Sequence, residues 1–327
     1  MTHTSISRRI VLAAAASLVA GSAMAQAAWP SKPITLIVPF PPGGPTDVVT
    51  RIVGKELSER LGQPIFVENK AGASGSIAAL QVKRAAPDGY TLMMLATPTL
   101  FAPLFYKNAG YDATKDFTPI AMVYDLPIVM VVNPSKLPNV KNLKQLIDTA
   151  RAQKEPLNYT TSGAGSFGHM TMELLKDLAK FDMQHVAYKG GVPAITDTIG
   201  GQVPLMYADL VAALPHIKSG KLVPLAVGSP ARVPMIADVP TIAEQGIEGF
   251  SAVSLGALLG PKGLPPAVVD RLNKEVKDIL AKKEVQDRIL GAGAIASFQP
   301  ATQLQHSLNE GYAKWGKVVK EKGMVAE

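Results

Sequence analysis

Residues 34–38, Ile-Thr-Leu-Ile-Val, make an almost unbroken β-branched and aliphatic run that stops at Pro39-Phe40-Pro41-Pro42-Gly43-Gly44 and passes straight into helical spacing. Val48, Val49, Ile52, Val53 and Leu57 recur on one helical face, with Arg51, Lys55, Glu56 and Glu59 on the other. The same order of strand, turn and helix repeats down the chain. Further strands are predicted at 64–68, 90–95, 127–132, 157–161, 184–188, 203–207 and 223–227, and helices from the Gly72–Ser76 loop to about Lys83 and at 143–152, 169–178, 194–199 and 266–280. Such alternation specifies an α/β fold with largely parallel sheets. The series restarts near Pro127, so two lobes joined by crossing strands is the economical architecture, and 327 residues are enough for two cores.

The first 25 residues read as an export signal: Arg8 and Arg9, an apolar stretch from Ile10 to Ala20, and Ala23-Met24-Ala25 as a small-x-small cleavage site ahead of Gln26. Ser7-Arg8-Arg9-Ile10-Val11-Leu12 suits a twin-arginine signal as well as an ordinary Sec signal. No other segment reaches the ~20 apolar residues of a membrane span. The sequence has no cysteine, which excludes disulfides, thiolate metal sites, a cysteine nucleophile and lipid attachment at the cleavage site. The net charge of +7 falls to +5 without Arg8 and Arg9 and is spread along the chain, with no basic block to track nucleic acid.

In open α/β sheets ligands bind beyond the carboxyl ends of the strands, where helix N-termini offer unpaired N–H groups. The opening turn lies at such a place: Gly43 and Gly44 permit a close backbone, and Thr46 or Asp47 is placed to cap the following helix. A tight connection would look the same, but small polar loops recur at other strand ends, at Gly72-Ala73-Ser74-Gly75-Ser76, Thr97-Pro98-Thr99 and Thr161-Ser162-Gly163-Ala164-Gly165-Ser166. Together they describe a cleft lined by N–H and hydroxyl groups, suited to a carboxylate.

Gly163-Ala164-Gly165-Ser166-Phe167-Gly168 also fits the dinucleotide pattern G-x-G-x-x-G, but the acid that should end the next strand is missing: Asp182 precedes that strand. Esterase, zincin and NTPase motifs are absent, and no histidine is spaced i, i+4 with another histidine as in a metal pair, so the expectation is no catalysis, no cofactor and no metal. His169 reads first as a structural hydrogen-bonding residue, Asp209 as a helix cap and Lys189 as a solvated side chain. Each has an alternative as a ligand contact.

In combination these pieces resemble one family, the Bug or tripartite tricarboxylate transporter substrate-binding proteins. The matching segments are WPSKPITLIVPFPPGGPTD (29–47), VENKAGASGSI (67–77), APDGYTLMM (86–94), LNYTTSGAGSFGHM (157–170), HVAYKGGVPAITDTIGGQV (185–203), IKSGKLVPLAV (217–227) and DVPTIAEQGIEGF (238–250). Pro45 and Ala187 depart from the family pattern. The resemblance implies a two-lobed periplasmic binding protein, a type II-like Venus flytrap with each lobe a mixed, mainly parallel sheet flanked by helices. Lobe 1 would be 26–127 with 250–327, and lobe 2 would be 128–249.

It also implies ligand contacts at Pro41, Gly43, Gly44, Thr46 and Asp47, at Ala71, Gly72, Ala73 and Thr97, at Ser162, Gly163, Ala164, Gly165, Ser166 and His169, and at Lys189, Gly190 and Asp209. The implied function is a monomeric periplasmic receptor that closes on a dicarboxylate, tricarboxylate or aromatic carboxylate and presents it to a membrane permease. A sensor ectodomain as partner, or an exported dinucleotide enzyme, are the alternatives the sequence leaves open.

Overall fold

The computed structural model describes residues 29–106 and 108–324, so the export signal expected over 1–25 lies outside the described residues. β1 (Ile34–Val38) is almost wholly buried, as a central strand covered on both faces must be. Its turn leads into α1 (Pro45–Leu61), which Gly62 closes at φ 68°. Pro45 occupies the first turn of that helix, where a missing N–H leaves no bond unmade, so this departure from the family pattern is a good helix start. β2 (Ile65–Asn69), α2 (Ser76–Lys83) and β3 (Thr91–Ala96) follow, and both β2 and β3 pair with β1 in parallel.

Next come α3 (Thr97–Phe105), β4 (Phe117–Leu126), β5 (Ile128–Val132), α4 (Leu143–Ala152), β6 (Leu157–Thr160) and α5 (Phe167–Ala179). They are followed by β7 (Met183–Val186), α6 (Gly191–Gly200), β8 (Leu205–Asp209), α7 (Leu210–Lys218) and β9 (Val223–Val227). The chain then forms β10 (Ser254–Pro261), α8 (Pro266–Leu280), α9 (Lys283–Gly291), β11 (Ile295–Pro300) and α10 (Ala301–Glu321). The sequence reading did not define α3, β4, α7, β10, α9, β11 or α10, and it carried the strand before the YKGG segment to Tyr188, where β7 stops at Val186.

Six strands form one sheet in the order β11-β4-β10-β3-β1-β2, and five form a second in the order β7-β6-β8-β5-β9. Both sheets are mixed, because β10 runs antiparallel to β3 and β4, and β5 antiparallel to β8 and β9. The chain passes between the sheets at Pro127 and again between β9 and β10. These two crossings lie side by side: Gly228 N–H donates to Ile128 O (3.1 Å) and Ala252 N–H to Gly228 O (2.8 Å).

One face of the six-stranded sheet buries Ile34 and Leu36 against Val49 and Val53 of α1 and Leu272 and Val276 of α8. The other face, with Ile37 and Leu95, belongs to a cluster that includes Leu304 and Leu308 of α10 and continues through Phe101 and Phe167 into the second sheet's core. Charged groups add ties between α1 and the C-terminal helices. Arg60 pairs with Glu275 and with Asp278 (2.8 Å), and Glu56 with Lys282 (2.6 Å). Gly256 of β10 lets the ring of Tyr124 lie flat on the backbone, since a Cβ there would fall 2.0 Å from it. The Tyr124 hydroxyl in turn donates to Thr46 Oγ1 at 2.8 Å, in the first turn of α1.

Candidate functional site

Three strands end where three helices begin, and all three junctions face one cavity of about 270 Å³ between the sheets. β3 runs directly into α3 at Thr97, β6 reaches α5 through the glycine loop and its N-cap Ser166, and β8 runs into α7 at the N-cap Asp209. Thr97, Ser166 and Asp209 all line the cavity, so the N-terminal ends of three helices converge on it. Ser74, Ser162 and Ser254 add hydroxyls, and Phe101, Phe105, Phe167 and Met170 supply apolar wall.

The glycine loop 161–166 is held by its own hydrogen bonds. Ser166 Oγ accepts the His169 N–H (3.3 Å) and donates to Thr161 Oγ1 (3.1 Å), which also meets His185 Nε2 at 2.9 Å. Gly165 takes φ 70° and lies so near Phe105 that a Cβ would sit 3.1 Å from its ring. Gly168 passes Tyr207 O with only 2.8 Å for a Cβ, which fixes the start of α5 against β8.

His169 and His185 stack with ring centroids 3.8 Å apart, and His169 Nδ1 accepts the Gly165 N–H at 3.1 Å. That bond requires an unprotonated Nδ1. Burial lowers the His169 pKa, and burial together with the neighbouring ring takes His185 down to about 4. His169 thus positions the loop from behind, facing a hollow shared with Glu173, Lys176 and Lys322, and is not among the residues lining the cavity.

Of the sequence-predicted positions, Thr97, Ser162, Gly163, Ala164, Gly165, Ser166 and Asp209 come together on the cavity. The others lie around it. Thr46 and Asp47 turn inward and are buried, Thr46 under Tyr124 and Asp47 as a latch for the opening turn. The Asp47 carboxyl accepts from Gly43 N–H (2.9 Å), Asn69 Nδ2 (2.9 Å) and Arg51 Nε (3.1 Å). Burial opposes its ionisation, but those bonds prevail and its pKa lies below the ordinary carboxylate value. Pro41, Gly43 and Gly44 form the surface of that turn, with open space around both glycines.

Ala71, Gly72 and Ala73 are exposed, while the next residue, Ser74 at φ 52°, reaches the cavity. Lys189 is exposed, and Gly190 N–H donates to Ser162 O at 3.0 Å. The sequence reading did not place Ser74, Pro98, Phe101, Phe105, Phe167, Gly168, Met170 or Ser254 among the ligand contacts, although Ser74, Pro98, Phe167 and Gly168 lay in segments it had already marked.

The dinucleotide pattern lacks its ribose acid in the fold as well, because Asp182 sits before β7 and pairs with Lys176 at 3.0 Å. A larger cavity of about 540 Å³ lies against Asp125, Lys314 and Trp315 and shares Thr97 and Phe101 with the first. It receives nothing from the glycine loop.

Set beside known proteins, residues 49–324 match the family model TctC, described as the tripartite tricarboxylate transporter family receptor. The chain is 34% identical over 297 residues to Protein BugT of Bordetella pertussis, covering 90% of each chain. Among solved structures, R. palustris Rpa4515 with adipate is 33% identical at a TM-score of 0.76, covering 91% of this chain and 99% of that one. MatC from Rhodopseudomonas palustris with bound malate is 33% identical at a TM-score of 0.71, covering 89% and 100%.

Proposed function

Because the chain belongs to the tripartite tricarboxylate transporter receptor family, whose members are solute-binding receptors and not enzymes, we propose that it captures a small organic carboxylate in the cavity between its sheets. The observation that carries this reading is the convergence of three helix N-termini, from both sheets, on one small cavity. Each N-terminus favours an anion by roughly 0.3–1 kcal/mol, and more where water is excluded. At about 270 Å³ the cavity falls just below the usual ~300–1,000 Å³ of small-molecule pockets, which suits a compact acid. That is the size class of the malate and adipate bound by the two solved relatives. The ligand is accordingly a dicarboxylate, a compact tricarboxylate or an aromatic acid, the last stacking on Phe101, Phe105 or Phe167.

The protein acts in the periplasm after cleavage near Ala25/Gln26, as a monomer, with residues 26–127 plus 250–327 and residues 128–249 as the two bodies that close. In this reading Pro41, Gly43 and Gly44, the 71–73 segment, Lys189 and Gly190 form the rim that approaches the ligand on closure, while Thr46, Asp47 and His169 hold their loops in place. The closed form is what a membrane permease of the tripartite type recognises, since a ligand selects a state only by binding it better. Calorimetry of the chain from Gln26 against mono-, di-, tri- and aromatic carboxylates tests the proposal. Saturable one-to-one binding of at least one acid is expected, and binding of none of them would sink it.

A further inference from the structure

The larger cavity shares only Thr97 and Phe101 with the first, and its volume of about 540 Å³ lies inside the usual ~300–1,000 Å³ of small-molecule pockets. Its walls come from α3, β4, β10, β11 and α10, with Ser251, Ala252 and Val253 of the crossing back from β9. α10 contributes Ser307, Gly311, Lys314 and Trp315, the i, i+4, i+7 and i+8 positions of one helix face. Glycine is poorly suited to the middle of a 21-residue helix, and a Cβ at Gly311 would meet nothing within 4 Å. Packing therefore does not call for a glycine there. Its missing side chain leaves the cavity open.

The polar groups around that space are not matched to one another. Asp125 lies between Leu255 and Ile295 in the sheet, is bonded to the Ser297 hydroxyl and has no ion-pair partner among the described residues. Burial pushes its pKa up to about 6. Lys314 Nζ donates to Ser251 O at 2.7 Å and pairs with no carboxylate among the described residues. Ser307 Oγ donates to Gln299 Oε1 at 2.9 Å, which leaves the Gln299 amide nitrogen as a donor. Glu310, 3.1 Å from His306, adds a second carboxylate. An anion entering here meets two carboxylates and a cation meets Lys314, whereas a hydroxyl group both donates and accepts. We propose that this cavity is a second binding site, for a neutral polyhydroxylated molecule of about monosaccharide size, whose hydroxyls donate to Asp125 and accept from Lys314 and Gln299. The site is separate from the carboxylate cavity and does not depend on the receptor reading.

Calorimetry of the chain from Gln26 with ribitol, myo-inositol and D-glucose tests this, with ethylammonium and glycine betaine as charged probes. At least one polyol is expected to bind one-to-one with a Kd of about 1 mM or tighter, and neither charged probe should bind as well. Gly311→Leu places a good helix former in the space and should abolish polyol binding, and Asp125→Asn should weaken it about tenfold. Neither residue lines the smaller cavity, so any carboxylate affinity of the wild type should persist within about twofold in both variants. Should Gly311→Leu fail to fold, Asp125→Asn decides alone. Binding of no polyol, tighter binding of a charged probe, or polyol binding that survives both substitutions each overturns the site. Polyol binding without any carboxylate binding leaves this site standing and removes the receptor reading, and the reverse removes this site alone.

Discussion

Gly168 shows how much a single missing methyl group can matter at this site. A Cβ there would lie 2.8 Å from Tyr207 O, a backbone atom that cannot swing aside, and 3.5 Å from Thr161. Gly168→Ala should therefore push α5 off β8 and lower stability by about 1–3 kcal/mol. Gly191→Ala, whose nearest contact would be an ordinary 3.9 Å from Ser162, should fall within about 1 kcal/mol of wild type. Urea midpoints at unchanged m-value check both. The histidine pair behind the same loop makes stability depend on pH. Both rings have pKa values depressed below the ordinary 6.5 in the folded chain, so as pH falls through that value the unfolded chain gains protons that the folded chain does not. Stability then drops until His185 protonates in place near pH 4. Glu173 favours the charged rings and Lys176 opposes them, with Asp182 and Lys322 further out. The ceiling for His185 is roughly 3 kcal/mol, brought to about 1–2 because its ring is only partly buried. Between about pH 7.5 and 4.5, His185→Gln should lose less stability than wild type, and parallel losses would rule the pair out as the cause. At this scale the sequence showed which loops stand at strand ends but not which side chains reach inward. Thr46 and Asp47 looked like cleft residues because their partners Tyr124 and Asn69 are remote in sequence, and Ser74 was passed over because only its φ of 52° turns it toward the cavity.

Elements whose periodicity was clean were legible, as with β1, α4, β9 and α8, whose limits match those read from the apolar spacing. Proline or glycine inside an element did not always hide it, since β9 contains Pro224, but it did so for α3 and β10. α3 holds Pro98 in its first turn and Pro103 near its end, positions a helix tolerates but a reader takes for a loop. β10 contains Gly256 and Gly260, and its bulge beside Gly256 is visible only through the Tyr124 ring that fills the space. α10 has good helical spacing in Leu304, Leu308, Trp315, Val318 and Val319, yet it packs on residues as remote as Phe101 and Met122 in the first sheet's half and Phe167 in the second's. Long-range partners also decide which charges matter. Arg60 joins α1 to α8 through Glu275, whose side chain is 4% exposed, so Arg60→Ala leaves a buried carboxylate with only Arg271 and should cost about 1–3 kcal/mol. Lys55 and Glu59 are both more than 60% exposed, and Lys55→Ala should change stability by no more than about 0.5 kcal/mol. Equal effects in thermal or urea unfolding would mean that the α1–α8 contact rests on its apolar residues alone.

For the whole molecule, the proposed receptor function couples ligand binding to lobe position, and two aromatic side chains are placed to test that coupling. The chain has two tryptophans. Trp29 packs on Tyr90 within the first sheet's half, at 6.1 Å between centroids. Trp315 of α10 meets Phe167 edge-on at 5.1 Å and Phe101 at 6.4 Å, and Phe167 is both the first residue of α5 and part of the cavity wall. α10 also reaches the second sheet's half through Lys322 and Asp177 at 2.6 Å, just past the helix end. Closure about the crossings at Pro127 and Gly228 would have to move Phe167 relative to Trp315, while leaving Trp29 in its surroundings. In Trp29→Phe, where Trp315 is the only tryptophan, a saturating carboxylate should change the intensity or the maximum of emission. In Trp315→Phe, the same addition should leave the Trp29 signal unchanged. Heat of binding with no change from Trp315 would mean that the cavity is preformed and the lobes do not move. A change from Trp29 alone would place the motion within the first sheet's half, away from the crossings.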